Sequence, residues 1–202
     1  MPYDPVKDFA PITQGTSYMY VLVVPPSLPV KTLNDFVGVL KSRPGQLTYG
    51  STGIGGGNHL AGELFNLMTN TKAIHVPYTG SALALASLLG GQTSYMFDTV
   101  ITAVPQVRAG KLKAIGVTGP KRASALPDMP TLNELGLKGY EITQWQAVVA
   151  PGGTPKAIVD KLNREVVKAL KMPDVIERLA TQGGNELVGN TPEQFAQVIR
   201  ND

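Results

Sequence analysis

The chain has YGSTGIGGGNHL at residues 49–60, where five glycines and two hydroxyl side chains separate a short apolar run from an amphipathic one. This pattern predicts a strand end, a glycine-rich loop and the first turn of a helix. Glycine lets the backbone approach a ligand closely, and the free N–H groups of a first helical turn favour a phosphate or a carboxylate. We therefore expect an anion site here, with Ser51 and Thr52 as hydroxyl donors. A flexible strand–helix connection is the alternative.

Composition excludes several classes of function. The 202 residues carry a net charge of +3 without a basic cluster, so we expect no nucleic-acid partner. There is no cysteine and there are only two histidines, which excludes thiolate and three-histidine metal sites. We predict no metal, no cofactor and no catalytic residue. The apolar runs are much shorter than the roughly 20 residues that span a bilayer, and the first residues lack the pattern of a signal peptide.

Strand and helix patterns alternate around the glycine loop. Strands are predicted at residues 47–49, 73–78, 93–97 and 112–117, and helices at 58–68, 82–89 and 100–109. This alternation predicts an α/β fold with βαβ units and a mainly parallel sheet.

Local signals predict details of the helices. We expect Thr32 to cap an earlier helix and Ser81 to cap the helix at 82–89, and Pro105 to kink or break the helix at 100–109. The apolar stripe of the helix at 58–68 is predicted to be Leu60, Leu64, Leu67 and Met68.

The candidate ligand-binding residues follow three of the predicted strands, because ligands bind outside the carboxyl ends of parallel strands. They are Ser51, Thr52, Gly53, Gly55, Asn58, Tyr78, Thr79, Gly80 and Asp98. The loop does not match a nucleotide-binding fingerprint. Helix capping is the alternative role for Asp98. His59 is expected to pack against a strand and His75 to be structural, since neither has a serine or acidic partner at the spacing of a hydrolase triad.

Two apolar strands, at 18–24 and 140–150, flank the alternating block, and three helical segments follow the second strand. A block entered by one strand and left by another is typical of a lobe inserted into a second lobe. We predict lobe two at 18–141 and the remainder of lobe one at 1–17 plus 142–202, with hinge strands near 18–25 and 140–150. Two-lobed proteins of this kind close over ligands by hinge motion.

Several short motifs, in the same order along the chain, resemble the receptors of tripartite tricarboxylate transporters, also called Bug proteins. They are YDPVKDFAPI (3–12), RPGQLTY (43–49), the glycine loop, HVPYTG (75–80), LLGGQ (88–92), AGKL (109–112), LPDMPT (126–131) and APGGTP (150–155). Each motif is weak alone, but the ordered set covers essentially the whole chain.

The resemblance implies a bacterial periplasmic receptor with the two-lobed type II periplasmic-binding-protein fold. Such receptors capture a small carboxylate, deliver it to membrane transporter subunits and are not enzymes. Family members begin with a signal peptide and a segment that supplies the first βα units of lobe one. We expect lobe one to be incomplete here because this chain begins after that segment. The alternatives are a shortened paralogue without ligand binding, or an α/β enzyme that uses Asp98 and His59.

Overall fold

The structure is a computed structural model that describes residues 3–4, 6–182 and 184–202. The elements in chain order are β1 (Phe9–Val24), α1 (Leu33–Ser42), β2 (Thr48–Ser51), α2 (Gly57–Thr69), β3 (Ile74–Pro77), α3 (Ser81–Leu89), β4 (Tyr95–Thr99), α4 (Val100–Arg108), β5 (Lys113–Val117), β6 (Thr143–Pro151), α5 (Lys156–Leu170), α6 (Pro173–Ile176), a π-helical turn (Glu177–Gln182), β7 (Glu186–Leu187) and α7 (Pro192–Asn201).

The chain divides into two compact units. Unit 1 comprises Met1–Tyr18 and Gln144–Asp202, and unit 2 comprises Met19–Thr143. The assignment of lobes and hinge strands remains a prediction. Across the described ranges, no helix is long and apolar enough to cross a membrane.

Unit 2 is built on a sheet with the strand order β3-β2-β4-β1-β5. The strand β2 pairs in parallel with β3 and with β4, as the alternating pattern predicts. The C-terminal part of β1 runs antiparallel to both β4 and β5. The sheet is therefore mixed, and the prediction of a mainly parallel sheet holds only for the three strands that carry the candidate site.

The buried face of α2 differs from the predicted stripe. Leu60 and Leu67 are exposed, and the residues that the helix buries are Asn58, Ala61, Gly62, Phe65 and Thr69. The helix needs small residues on this face because a Cβ atom on Gly62 would lie 2.4 Å from the Tyr49 ring. Close approach to β2, rather than maximal side-chain hydrophobicity, decides which face is buried.

The predicted caps have mixed outcomes. Thr32 caps α1 in a capping box with Asp35, as expected. Ser81 is wrong as the cap of α3, because Gly80 occupies that position and Ser81 is the first helical residue. Of the kink or break predicted at Pro105, the break is absent, because α4 continues through this residue. A proline in this position removes one backbone hydrogen bond from the helix.

Unit 1 contains the N-terminal part of β1, which pairs with β6 and β7. The predicted strand at 18–24 is thus the C-terminal part of one longer strand, Phe9–Val24. Its polar middle is buried and hydrogen-bonded, since the Thr13 hydroxyl donates to the main-chain carbonyl of Asn190 and the Gln14 amide donates to Asn190 Oδ1, both at 2.8 Å. Phe195 of α7 is buried and lies edge-to-face with Trp145, at 5.3 Å between ring centroids.

Candidate functional site

Three strand ends of unit 2 meet at one edge of its sheet, because β3, β2 and β4 are parallel neighbours. The Tyr78 amide donates to the Ser51 carbonyl at 3.0 Å, which joins the ends of β3 and β2. The Ser81 hydroxyl donates to Asp98 Oδ1 at 3.3 Å, which joins the start of α3 to the end of β4. The candidate residues that follow these three strands are thus brought to the same edge.

The glycine loop is ordered by its own side chains. Asn58 is buried, and its Oδ1 accepts from the Thr52 amide at 3.3 Å and from the Thr52 hydroxyl at 3.1 Å. Gly53 and Gly55 have φ angles of 136° and 82°, which residues other than glycine rarely adopt. These contacts define one conformation of the loop.

Ser51 is fully buried at the base of the loop. Its Oγ accepts from the Gly53 amide at 3.1 Å and lies 2.5 Å from His75 Nε2. Sequence spacing gave no sign of this serine–histidine contact. The strand register explains the contact, because His75 lies opposite Tyr49 and a strand places Tyr49 and Ser51 on the same face.

The helices α2, α3 and α4 all begin at this edge, and their first turns differ from those of α1 and α7 but resemble that of α5. In the described structure none of the three has a side-chain cap or an acidic residue in its first turn. By contrast, α1 and α7 each have a complete capping box and an acidic residue there. Uncapped first turns leave N–H groups with partial positive charge available to an anion.

Asp98 is fully buried beside these helix starts. Its Oδ1 accepts from the Thr99 amide at 2.9 Å and from the Thr102 hydroxyl at 2.7 Å, while Oδ2 has no partner among the described residues. The N-cap of α4 is Thr99, so Asp98 precedes the cap. Burial raises the pKa of Asp98 and outweighs the opposing hydrogen bonds.

The turn between β3 and α3 offers mainly backbone groups to the candidate site. The Tyr78 hydroxyl lies 2.5 Å from Ser87 Oγ in α3, so the side chain is anchored within unit 2. Thr79 is exposed, and Gly80 has a φ angle of 123° at the start of α3. Within the described residues, no three histidine or acidic side chains are grouped closely enough to hold a metal ion.

Solved structures place this fold in a known class. The chain matches a structure of an R. palustris protein with adipate, at 35% identity and a TM-score of 0.90, covering 100% of this chain and 67% of that one. It also matches MatC from Rhodopseudomonas palustris with bound malate, at 34% identity and a TM-score of 0.88, covering 98% and 68%. The predicted α/β fold of periplasmic binding proteins is confirmed.

The chain belongs to the tripartite tricarboxylate transporter receptor family, TctC, whose family model matches residues 1–202. Protein BugT of Bordetella pertussis is 32% identical over 202 residues, which cover all of this chain and 62% of that protein. The chain thus spans a little over three fifths of the length of that curated relative. The family predicted from the ordered motifs is confirmed.

Proposed function

We propose that this protein is a solute-binding receptor that captures a small carboxylate. The observation that carries the proposal is the set of three uncapped helix N-termini at one sheet edge, without an acidic residue in their first turns. Carboxylates are stabilised by such N–H groups. Two relatives with similar structures were solved with dicarboxylates, adipate and malate.

In this proposal the uncapped first-turn amides of α2 and the exposed Thr52 contact the carboxylate. The amides of Gly53 and Gly55 join them by exchanging their present acceptors, Ser51 Oγ and His59 Nδ1, for the ligand. Ser51 and Asn58 hold the loop in the binding conformation, because both are buried and bonded to loop atoms. Backbone N–H groups release a ligand readily compared with a buried ion pair, which suits a receptor that must deliver its cargo.

The second part of the proposed site is the turn of Tyr78, Thr79 and Gly80, whose amides lead into α3. Asp98 fixes the start of α4 through Thr99 and Thr102 and orients Ser81 at the start of α3. Its role is to order the helix ends around the anion.

Family membership supports the wider proposal. The receptor would act in the periplasm and deliver its ligand to the membrane subunits of a tripartite tricarboxylate transporter. Residues 18–141 would form lobe two, residues 1–17 with 142–202 would belong to lobe one, and the strands near 18–25 and 140–150 would act as hinges.

The geometry favours binding over hydrolysis. The contact between Ser51 and His75 has the atoms of a nucleophile and a base, but Ser51 is fully buried and its hydroxyl is bonded to the loop at Gly53. A nucleophile must reach a substrate, so this serine is better suited to holding the loop.

The test uses calorimetry with a panel of carboxylates that includes malate and adipate. Asn58→Asp adds a negative charge in the first turn of α2, where it should weaken carboxylate binding at least about tenfold by repelling the anion. Asn66→Asp adds the same charge two turns further along α2 and is the matched control, with an expected change below about threefold.

Each outcome decides a separate point. If no carboxylate binds the unaltered protein, the receptor function is overturned. If Asn58→Asp binds carboxylate as tightly as Asn66→Asp does, the receptor function stands and the placement of its site is wrong. Because Asn58 is buried, thermal unfolding of Asn58→Asp is measured alongside calorimetry, and lost affinity counts against the ligand contact only where the variant is folded.

A further inference from the structure

The chain has two histidines, and the structure stacks one on the other directly behind the glycine loop. His59 lies in the first turn of α2 and His75 on β3, with ring centroids 4.0 Å apart and planes inclined by 29°. The proposed carboxylate site gives neither ring a role. Each ring nevertheless contacts the glycine loop, His59 directly at the Gly55 amide and His75 through Ser51, which accepts from the Gly53 amide.

His59 holds the loop directly. Its Nδ1 accepts a hydrogen bond from the Gly55 amide at 3.1 Å, so this nitrogen carries no proton in the structure. The ring proton is then on Nε2, which lies 4.0 Å from Glu63 Oε1. In this neutral state the Gly55 N–H group is occupied by the histidine and is withheld from a ligand.

His75 holds the loop through a second residue. Its Nε2 lies 2.5 Å from Ser51 Oγ, and that oxygen accepts the Gly53 amide. The ring also stacks on Tyr49, at 5.0 Å between centroids. Burial, and after it the charge of a protonated His59, lower the pKa of His75. A proton added to the pair is therefore disfavoured at His75, whereas at His59 it would lie near the Glu63 carboxylate, 4.0 Å from Nε2.

The groups around the pair favour one added proton and disfavour two. Glu63 faces the pair from α2, where it also accepts from the Tyr49 hydroxyl of β2. Tyr95 of β4 stacks behind Tyr49. The Glu63 carboxylate stabilises a first imidazolium, whereas a second cation 4.0 Å from the first would be repelled strongly.

We propose that the stacked histidines couple carboxylate binding to the uptake of one proton at His59. The proton comes from solvent and binds to Nδ1, which changes from an acceptor to a donor and releases the Gly55 N–H group. That group then donates to the ligand carboxylate, and the imidazolium adds a positive charge beside it. This inference rests on the proposed carboxylate function. By linkage, affinity rises as pH falls, and ligand binding draws a proton onto the His59 imidazole.

The first test measures malate and adipate binding by calorimetry between about pH 6 and 8, where histidine titrates and these ligands remain largely ionised. Repeating each titration in buffers of different ionisation enthalpy counts the protons taken up. The expected result is affinity that rises about three- to tenfold towards pH 6, with net proton uptake at neutral pH.

Two variants separate the roles of the rings. His59→Gln should remove both the proton uptake and the pH dependence, because the glutamine does not titrate. His75→Gln keeps a hydrogen-bonding group beside Ser51 and should retain the pH dependence. Equal slopes in His59→Gln and the unaltered protein would overturn the inference.

The unaltered protein supplies a readout that does not depend on a variant folding. With two histidines in the chain, NMR resolves each imidazole, and saturating malate or adipate at constant neutral pH should increase the protonated fraction of His59. Carboxylate binding without a shift of either histidine and without proton uptake overturns the coupling but leaves the receptor function intact. No binding of any carboxylate across the pH range overturns the receptor function itself.

Discussion

The two units differ in how many apolar side chains they bury. In the described chain, all but three of the buried apolar side chains lie in unit 2, and the three in unit 1 are Ile12, Val159 and Phe195. Unit 2 surrounds its sheet with α1 to α4 and buries aromatic residues from several elements together, including Phe36, Phe65 and Tyr95. Its core therefore supports the candidate site with residues from within the unit.

Unit 1 has elements of comparable amphipathicity but a much smaller core. The helix α5 buries Val159 alone, while Ile158 is 50% exposed and Leu162 is 40% exposed. A cavity of about 450 Å³ within the unit is lined largely by apolar residues, including Val167, Leu170 and Ile176. A sequence pattern thus identifies the apolar face of a helix such as α5, but only the structure shows whether other residues of the unit cover that face.

The largest expected effect tests this contrast between cores. Phe65→Ala removes a fully buried ring of unit 2 and should lower the free energy of unfolding by about 3–5 kcal/mol. Ile158→Ala truncates a half-exposed side chain of unit 1 and should cost less than about 1 kcal/mol. Urea unfolding followed by circular dichroism measures both. Equal losses would show that the α5 face is as well packed as the unit 2 core, and the contrast would fail.

The helix boundaries show what local chemistry can predict. The Thr32 cap and the range of α7 follow from capping residues and from Pro192 at the first helical position. The length of β1 does not follow, because its middle residues are polar. Those residues are buried only through distant partners such as Asn190, which local sequence cannot indicate.

The second prediction measures how closely unit 2 is packed behind the site. Gly62→Ala would place a Cβ atom 2.4 Å from a carbon of the Tyr49 ring. That ring cannot shift freely, since it stacks on His75 and Tyr95. We expect a loss of about 1–3 kcal/mol in the free energy of unfolding.

Gly38→Ala is the matched control, because nothing lies within 4 Å of the added Cβ atom in α1. It should stabilise the protein by about 0.5–1 kcal/mol through helix propensity. Thermal unfolding of both variants gives the comparison. A stabilising Gly62→Ala would mean that α2 can move away from β2, and the tight packing assigned to unit 2 would be wrong.

The candidate site was predictable as a set of positions and not as a set of contacts. Glycine, hydroxyl and acidic residues after alternating strands indicate one sheet edge, and the structure places those strand ends together. The links from Ser51 to His75 and from Ser81 to Asp98 depend on strand register and on the exact helix start. Neither is expressed in local spacing, so the buried polar network had to be found in three dimensions.

The smallest expected effect compares one acidic group from each unit as pH changes. Burial raises the pKa of Asp98 above its ordinary value of 3.8. The folded state therefore binds this proton more tightly than the unfolded state does, and the associated stability is full below about pH 4 and is lost as pH rises through the raised pKa. Asp98→Asn removes the titration, so the variant should gain stability relative to the unaltered protein as pH rises.

In unit 1 the Glu193 pKa is lowered, first by a hydrogen bond from its own amide, so its contribution has the opposite sign and is lost as pH falls. Glu193 is largely exposed, and Glu193→Gln should change stability only slightly, with its small cost confined to pH above the glutamate range. Chemical unfolding of both variants from about pH 4 to 8 measures the two slopes. If the two variants change stability with pH in the same direction, Asp98 is solvated like a surface acid. The candidate site in unit 2 would then not differ from unit 1 in burying its acidic group.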